Sequence, residues 1–309
     1  MQTDALFTLE HATLGTSRDR PPRLRDISLT VSRGVTAVLG ASGAGKTSLL
    51  NLLAGFEMPA SGKLHGDTRV AWVPQSDGLW PDCSAREHLT ECGANAGEAE
   101  RLLAVFDIAH CAKSRPQKLS HGERNRLAVA RALAMNPRTL VFDEPLAHVD
   151  TASSGKYWRA IREHIGRTGA SFVFATHAPD IALGEAEQAI CLREGSVAST
   201  GRISDLYENP ASPEIANFLG PANWLTPDDA RRWLGESWSG ARCVRPERLM
   251  IAPSENGAAT VSASRFFGAF AETELRAGDG TSREFLHRPA AAHEPGARVS
   301  VAVATIHHP

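Results

Sequence analysis

The chain has no hydrophobic run long enough to span a bilayer, and its first residues lack the pattern of a secretory signal. The sequence therefore predicts a protein that meets a membrane only through a partner. Cysteine is sparse. The five residues Cys83, Cys92, Cys111, Cys191 and Cys243 are scattered, odd in number and form no C-x-x-C pair. That usage suits a reducing cytoplasm, excludes a disulfide framework and offers no metal site by spacing. Net charge is only −2, so no overall basic field points to nucleic acid. Lysine stops at Lys156, and before residue 40 the only aromatic is Phe7. No internal repeat or long low-complexity stretch is visible. What remains is ordinary: 309 residues, enough for about two domains, with a 42% hydrophobic fraction that can bury a sizeable core.

The segment Gly40-Ala41-Ser42-Gly43-Ala44-Gly45-Lys46-Thr47 fits the phosphate-binding pattern G-x-x-x-x-G-K-[ST]. Its context is the required one. Val35–Leu39 reads as a short buried strand, and Ser48 to Ala54 reads as a helix ending near Gly55. Glycines let the backbone approach an anion closely. The loop amides converge on phosphates at the positive end of the helix. Lys46 is expected to reach the β- and γ-phosphates, Thr47 to offer its hydroxyl to Mg²⁺, and Ser48 to complete the cradle.

A second element narrows the field. Thr139-Leu140-Val141-Phe142 is an apolar strand that ends in Asp143-Glu144. An acid at the end of a buried strand beside a phosphate loop suits Mg²⁺. Glu144, one residue on, is expected to polarise an attacking water as general base.

The discriminating element is Leu119-Ser120-His121-Gly122-Glu123, followed by a basic and apolar helix from Arg124 to Leu133. It resembles the L-S-G-G-Q signature of ABC ATPases, and it lies in the family's place between the two nucleotide elements. Read by itself it is a capped amphipathic helix, with Ser120 as N-cap and Glu123 completing a capping box. The resemblance implies that Ser120 and Gly122 face the γ-phosphate held by an opposite subunit. It also assigns further residues. Gln75 matches the glutamine that touches Mg²⁺ or water and the transmembrane partner. Asp150 matches the aspartate at the dimer seam. His177, after the strand-like run Ser171 to Thr176, matches the switch histidine near the γ-phosphate.

The chain departs from that family in four ways. His121 stands for glycine and Glu123 for glutamine in the signature. Ala147 and His148 replace serine and asparagine or alanine in the aspartate loop. No aromatic stands about two dozen residues before the phosphate loop, where the family stacks adenine, so His11 or Arg18 is left for a weaker stack. The helical segment from Gln75 to Ser120 is shorter than in maltose-type importers and holds one helix candidate, Ala99 to Phe106.

Composition shifts near Gly220, where Pro221 and Pro227 suggest a boundary. Short β-like runs follow, among them Arg242–Arg245, Met250–Ala252 and Arg298–Val303, separated by turns such as Gly278-Asp279-Gly280. Arg245-Pro246-Glu247-Arg248-Leu249 resembles the R-P-E-x-[LIV] segment of the TOBE β-domain of importer ATPases. The reading is then an α/β P-loop ABC ATPase domain over 1–220, with a helical subdomain over about 76–135, followed by a small all-β TOBE-like domain over 221–309. The resemblance implies an ATP-hydrolysing subunit of an importer for a small solute. It would work as a homodimer on separate permease subunits at the cytoplasmic face of the inner membrane, with an extracytoplasmic solute-binding protein. The alternatives are a soluble non-transport ABC ATPase and an exporter ATPase. The junction around Phe218 to Leu225 looks more like that of ferric-iron, polyamine and sulfate importers than of sugar importers.

Overall fold

In the computed structural model, described over residues 5–15, 21–67, 69–288 and 293–304, the chain divides into two compact units, Met1–Ile203 and Ser204–Pro309. The first opens with an antiparallel sheet of order β2-β1-β4, formed by β1 (Ala5–Leu14), β2 (Leu24–Ser32) and β4 (Ser61–Gly66). Alternation in β2 sends Leu24, Ile27, Leu29 and Val31 inward. They join Leu49, Leu50, Leu52 and Leu53 of α1 (Lys46–Leu53) in one core. Phe7 is buried in the same cluster, as a strand residue.

The main sheet has six strands in the order β5-β6-β7-β3-β8-β9. These are β3 (Val35–Leu39), β5 (Val70–Val73), β6 (Thr139–Asp143), β7 (Ser171–Ala175), β8 (Gln188–Arg193) and β9 (Ser196–Arg202). All run parallel except β9, which returns antiparallel to β8. Strands β6 and β7 are buried at every position, which explains their unbroken apolar reading. The carboxyl ends of β3 and β6 thus open on one edge, where doubly wound sheets bind ligands.

Helix α5 (Thr151–Thr168) follows β6 and inserts Trp158 against Phe172 and Phe174, with ring centroids 6.3 and 5.3 Å apart. The stretch 76–135 holds α2 (Ala85–Thr90), α3 (Ala96–Val105) and α4 (His121–Ala134). Helix α3 starts earlier than apolar spacing suggests, because Asn95 Oδ1 accepts the Glu98 amide at 2.9 Å and fixes the N-cap upstream. Helix α6 (Pro179–Glu185) leads into β8.

The second unit, from Ser204, takes in α7 (Ile203–Glu208) after its first residue and then α8 (Pro213–Phe218). A hairpin of β10 (Asn223–Leu225) and β11 (Arg242–Val244) encloses α9 (Pro227–Asp229) and its continuation as a π-helical turn, Ala230–Leu234. An antiparallel five-stranded sheet follows in the order β12-β16-β13-β14-β15. Its strands are β12 (Leu249–Pro253), β13 (Ala259–Phe266), β14 (Ala271–Ala277), β15 (Ser282–His287) and β16 (Arg298–Val303). Leu225, Trp233, Leu249, Ile251, Leu275, Phe285 and Val299 form its core.

The division between the units falls before Gly220, inside the stretch that composition assigned to the first domain. One residue accounts for much of this. Arg245 is buried and gives hydrogen bonds to the carbonyls of Tyr207, Ala216, Gly220 and Pro221 at 3.0–3.2 Å, with its guanidinium 4.0 Å over the Tyr207 ring. The segment carrying α7 and α8 is therefore cemented to the β-domain by a charge that single-residue patterning does not reveal.

Candidate nucleotide-binding site

The phosphate loop runs from the end of β3 into α1. Gly40 has φ +151°, and a Cβ there would sit 2.5 Å from the Leu192 carbonyl oxygen. Gly45, the N-cap of α1, has φ +106°, and its Cβ would meet the Arg23 carbonyl at 3.0 Å. Both positions therefore need glycine on conformation and on space. Lys46 Nζ donates to the carbonyls of Gly40 and Ala41 at 2.8 and 3.2 Å, so the ammonium lies folded across the loop. Thr47 Oγ1 donates to Asp143 Oδ2 at 2.6 Å. Ser48 is buried in the first turn of α1.

Asp143 is only 2% exposed, and burial, with Glu144 beside it, holds its carboxyl above the usual range despite the Thr47 hydrogen bond. Glu144 continues the ladder through its amide to the Ala175 carbonyl at 3.1 Å, then turns the chain with φ +51°. Leu146 follows with φ +63°. Two non-glycine residues in left-handed backbone within three positions mark stored strain of the kind that clusters at functional sites. His177 Nδ1 lies 2.9 Å from Glu144 Oε2. The imidazole is three-quarters exposed and the carboxylate almost covered.

These side chains border one cavity of about 340 Å³, lined by Gly40, Ala41, Ser42, Gly43, Lys46, Thr47, Gln75, Asp143, Glu144 and His177. Gln75 reaches it from the loop after β5. That loop is tied to α4: Arg124 Nε donates to Asp77 Oδ2 at 3.2 Å, and Arg131 donates to the Gly78 carbonyl at 2.8 Å and stacks 5.2 Å from Trp80. Sequence reasoning missed both arginines. Their only signal was the basic character of the helix that follows the signature.

Ser120 and Gly122 do not line this cavity. They open α4, where Ser120 Oγ accepts the Glu123 amide at 3.2 Å and Glu123 Oε2 accepts the Ser120 amide at 2.7 Å, the expected capping box. The two unusual histidines meet edge to face, with the His121 and His148 rings 5.6 Å apart. A Cβ on Gly122 would sit 3.0 Å from the His148 carbonyl, so signature and aspartate loop are packed closely. Asp150 caps α5 by accepting the Ser153 amide at 2.9 Å.

His11 sits in an irregular stretch of β1 with φ +51°, and its Nδ1 is 2.8 Å from Asp26 Oδ1. It is not among the residues lining the cavity, and Arg18 lies outside the described residues.

A glycine loop, an acid-tipped strand of the same parallel sheet and a helix-opening serine on a separate subdomain define an ABC-type nucleotide-binding cassette. Comparison with known proteins agrees. The ABC transporter family profile matches residues 24–147, and the TOBE domain profile matches residues 242–307. The Fe(3+) ions import ATP-binding protein FbpC 1 of Rhizobium meliloti is 32% identical, covering 90% of this chain and 90% of that protein. The spermidine/putrescine import ATP-binding protein PotA 1 of Pseudomonas aeruginosa is 31% identical over 86% of this chain and 85% of its own. A dimeric ATP-binding cassette solved in a post-hydrolysis state with ADP and Pi shares the fold at TM-score 0.58 and 23% identity, covering 64% of this chain and 98% of that one. The chain belongs to the ABC transporter family, as an ATP-hydrolysing subunit of the importer type with an appended TOBE domain.

Proposed function

We propose that this subunit powers ferric-ion uptake by hydrolysing ATP between two copies of itself, docked on separate permease chains at the cytoplasmic face of the inner membrane. An extracytoplasmic binding protein delivers the solute. The observation that carries the site is the convergence of Lys46, Thr47, Gln75, Asp143, Glu144 and His177 on one cavity. The ferric assignment rests on the naming of the relatives, FbpC 1 of Rhizobium meliloti among them. A polyamine is the second reading, favoured by the likeness to PotA 1.

The residues suit the chemistry. The loop 40–45 and Lys46 hold the phosphates, with Lys46 exchanging two loop carbonyls for phosphate oxygens. The Thr47 hydroxyl, the buried Asp143 carboxylate and the Gln75 side chain form an oxygen donor set that fits Mg²⁺. Held by these residues, Mg²⁺ would supply positive charge against that of the phosphates. Glu144 takes a proton from the attacking water, and His177, already against its carboxylate, orients it. Ser120 and Gly122, which do not line the cavity of their own chain, serve the γ-phosphate of the second copy.

The test is reconstitution with the permease in lipid vesicles. Hydrolysis stimulated by a ferric-loaded binding protein supports the reading. Stimulation by spermidine-loaded protein alone moves the substrate to a polyamine. Hydrolysis that ignores both removes the ferric and the polyamine readings of the solute.

A further inference from the structure

Three side chains of zinc-type chemistry meet beside the first turn of α4, outside the nucleotide cavity. His110 and Cys111 lie in the 3₁₀ turn Ala109–Cys111 that follows α3, and Glu123 is in the first turn of α4. His110 Nε2 is 2.8 Å from Glu123 Oε1, and with Cys111 Sγ the three donor atoms lie within 4.8 Å of one another. A tetrahedral ion holding ligands at about 2.0–2.3 Å spaces them roughly 3.3–3.7 Å apart. His110 and Glu123 already lie inside that distance and no donor pair exceeds 4.8 Å, so closure needs shifts of about 1 Å.

The carboxylate is already oriented. Its other oxygen, Oε2, accepts the Ser120 amide at 2.7 Å, which leaves Oε1 aimed at the imidazole. A fixed outer hydrogen bond of this kind is what positions metal ligands elsewhere. The imidazole is two-thirds exposed and gives an ion an entry route, whereas Cys111 is buried and donates only to the Ile108 carbonyl at 3.2 Å.

We propose that His110 Nε2, Cys111 Sγ and Glu123 Oε1 bind one divalent transition-metal ion of the zinc class, with water completing its shell. Binding transfers the thiol proton to solvent, replaces the S–H bond to Ile108 with a metal–sulfur bond, and sets one divalent charge against a thiolate and a carboxylate. Because Glu123 also caps Ser120, the ion stiffens the turn that presents the signature serine. The effect of that stiffening on hydrolysis rests on the role given to Ser120 above; the binding itself does not.

The probe is Co²⁺, added without nucleotide to the chelator-treated full chain. The expected result is a near-ultraviolet thiolate-to-cobalt band with visible four-coordinate bands, saturating at about one ion per chain and bleached by Zn²⁺. Cys111→Ser is expected to lose the thiolate band. His110→Ala, at an exposed position, and Glu123→Gln, which retains an acceptor for the cap, are expected to weaken binding about 10–100-fold. Absence of a thiolate band in the parent chain overturns the proposal, as does a band that survives Cys111→Ser or unchanged binding by folded His110→Ala.

Discussion

Thr47 Oγ1 and Asp143 Oδ2, 2.6 Å apart, join the first turn of the phosphate-loop helix to the end of strand β6. The bond holds a carboxylate that burial disfavours in its charged form. Its folded pKa is raised, so the charged group opposes folding. That opposition is absent below the unfolded pKa and complete once pH exceeds the raised folded value. Asp143→Asn is therefore expected to raise the melting temperature at neutral pH by about 2–4 °C while abolishing Mg²⁺-dependent hydrolysis. Calorimetry and a phosphate-release assay on the same preparation check both halves. A variant that is less stable as well as inactive contradicts the electrostatic account.

Lys46 is the only charge placed on the phosphate loop, and it rests on the Gly40 and Ala41 carbonyls. Lys46→Ala removes the charged anchor without opening a core cavity, since the side chain is only partly covered. Nucleotide affinity is expected to fall at least tenfold and hydrolysis to reach background, with the melting temperature nearly unchanged. Fluorescent-nucleotide titration beside a melting curve measures this; parental hydrolysis would place the site elsewhere.

Glu144→Gln retains the shape of the residue and its strained turn while removing the base. It is expected to bind Mg-ATP, turn over at least a hundredfold more slowly, and accumulate as an ATP-bound dimer. Light scattering with and without ATP reads the mass. A monomer in ATP, both for the subunit alone and with its permease, argues against the head-to-tail site.

Much of this was legible in the sequence because each nucleotide element follows a local rule. A glycine loop between strand and helix, a buried strand ending in acid, and a capping box each need only a few consecutive residues. The strands at 35–39 and 139–143 and the helix opening at Ser120 fall where those patterns put them. What patterning could not reach depends on contacts between distant segments. His121 and His148 look like two separate departures, yet their rings touch. Cys111 is without a C-x-x-C partner in sequence, and only the fold sets it beside His110 and Glu123. Arg245 reads only as the first residue of the R-P-E-x-[LIV] segment, and the structure shows it buried among four carbonyls.

Base selectivity is expected to be weak. The segment where the family stacks adenine holds no aromatic, and His11 is already engaged by Asp26. Losing a stack worth about 1 kcal/mol removes most of a tenfold preference, so GTP hydrolysis is expected within roughly tenfold of ATP. Parallel kcat/KM measurements decide it. An ATP preference above about a hundredfold, near 3 kcal/mol, would reveal another group reading the base.

Arg245 is expected to be the single most sensitive position of the second unit. It is 2% exposed, and its Nε and Nη1 serve the carbonyls of Tyr207, Ala216, Gly220 and Pro221. Arg245→Ala strands several buried acceptors together, each worth on the order of 1 kcal/mol, and opens a large void under the Tyr207 ring. A loss of about 3–5 kcal/mol is expected, enough to unfold a marginal domain. Arg245→Lys retains the charge but not the planar fork, so it satisfies fewer carbonyls and loses the flat stack on Tyr207. It is expected to recover only part of the stability. Because the nucleotide residues all lie in the first unit, ATP binding is expected to persist in both variants. Denaturant unfolding followed by tryptophan fluorescence, beside nucleotide titration, separates the two effects. Trp224, Trp233 and Trp238 report the second unit and Trp72, Trp80 and Trp158 the first. A full-stability Arg245→Ala protein would show that the buried guanidinium does not organise the segment carrying α7 and α8, and that the division at Ile203 has another cause.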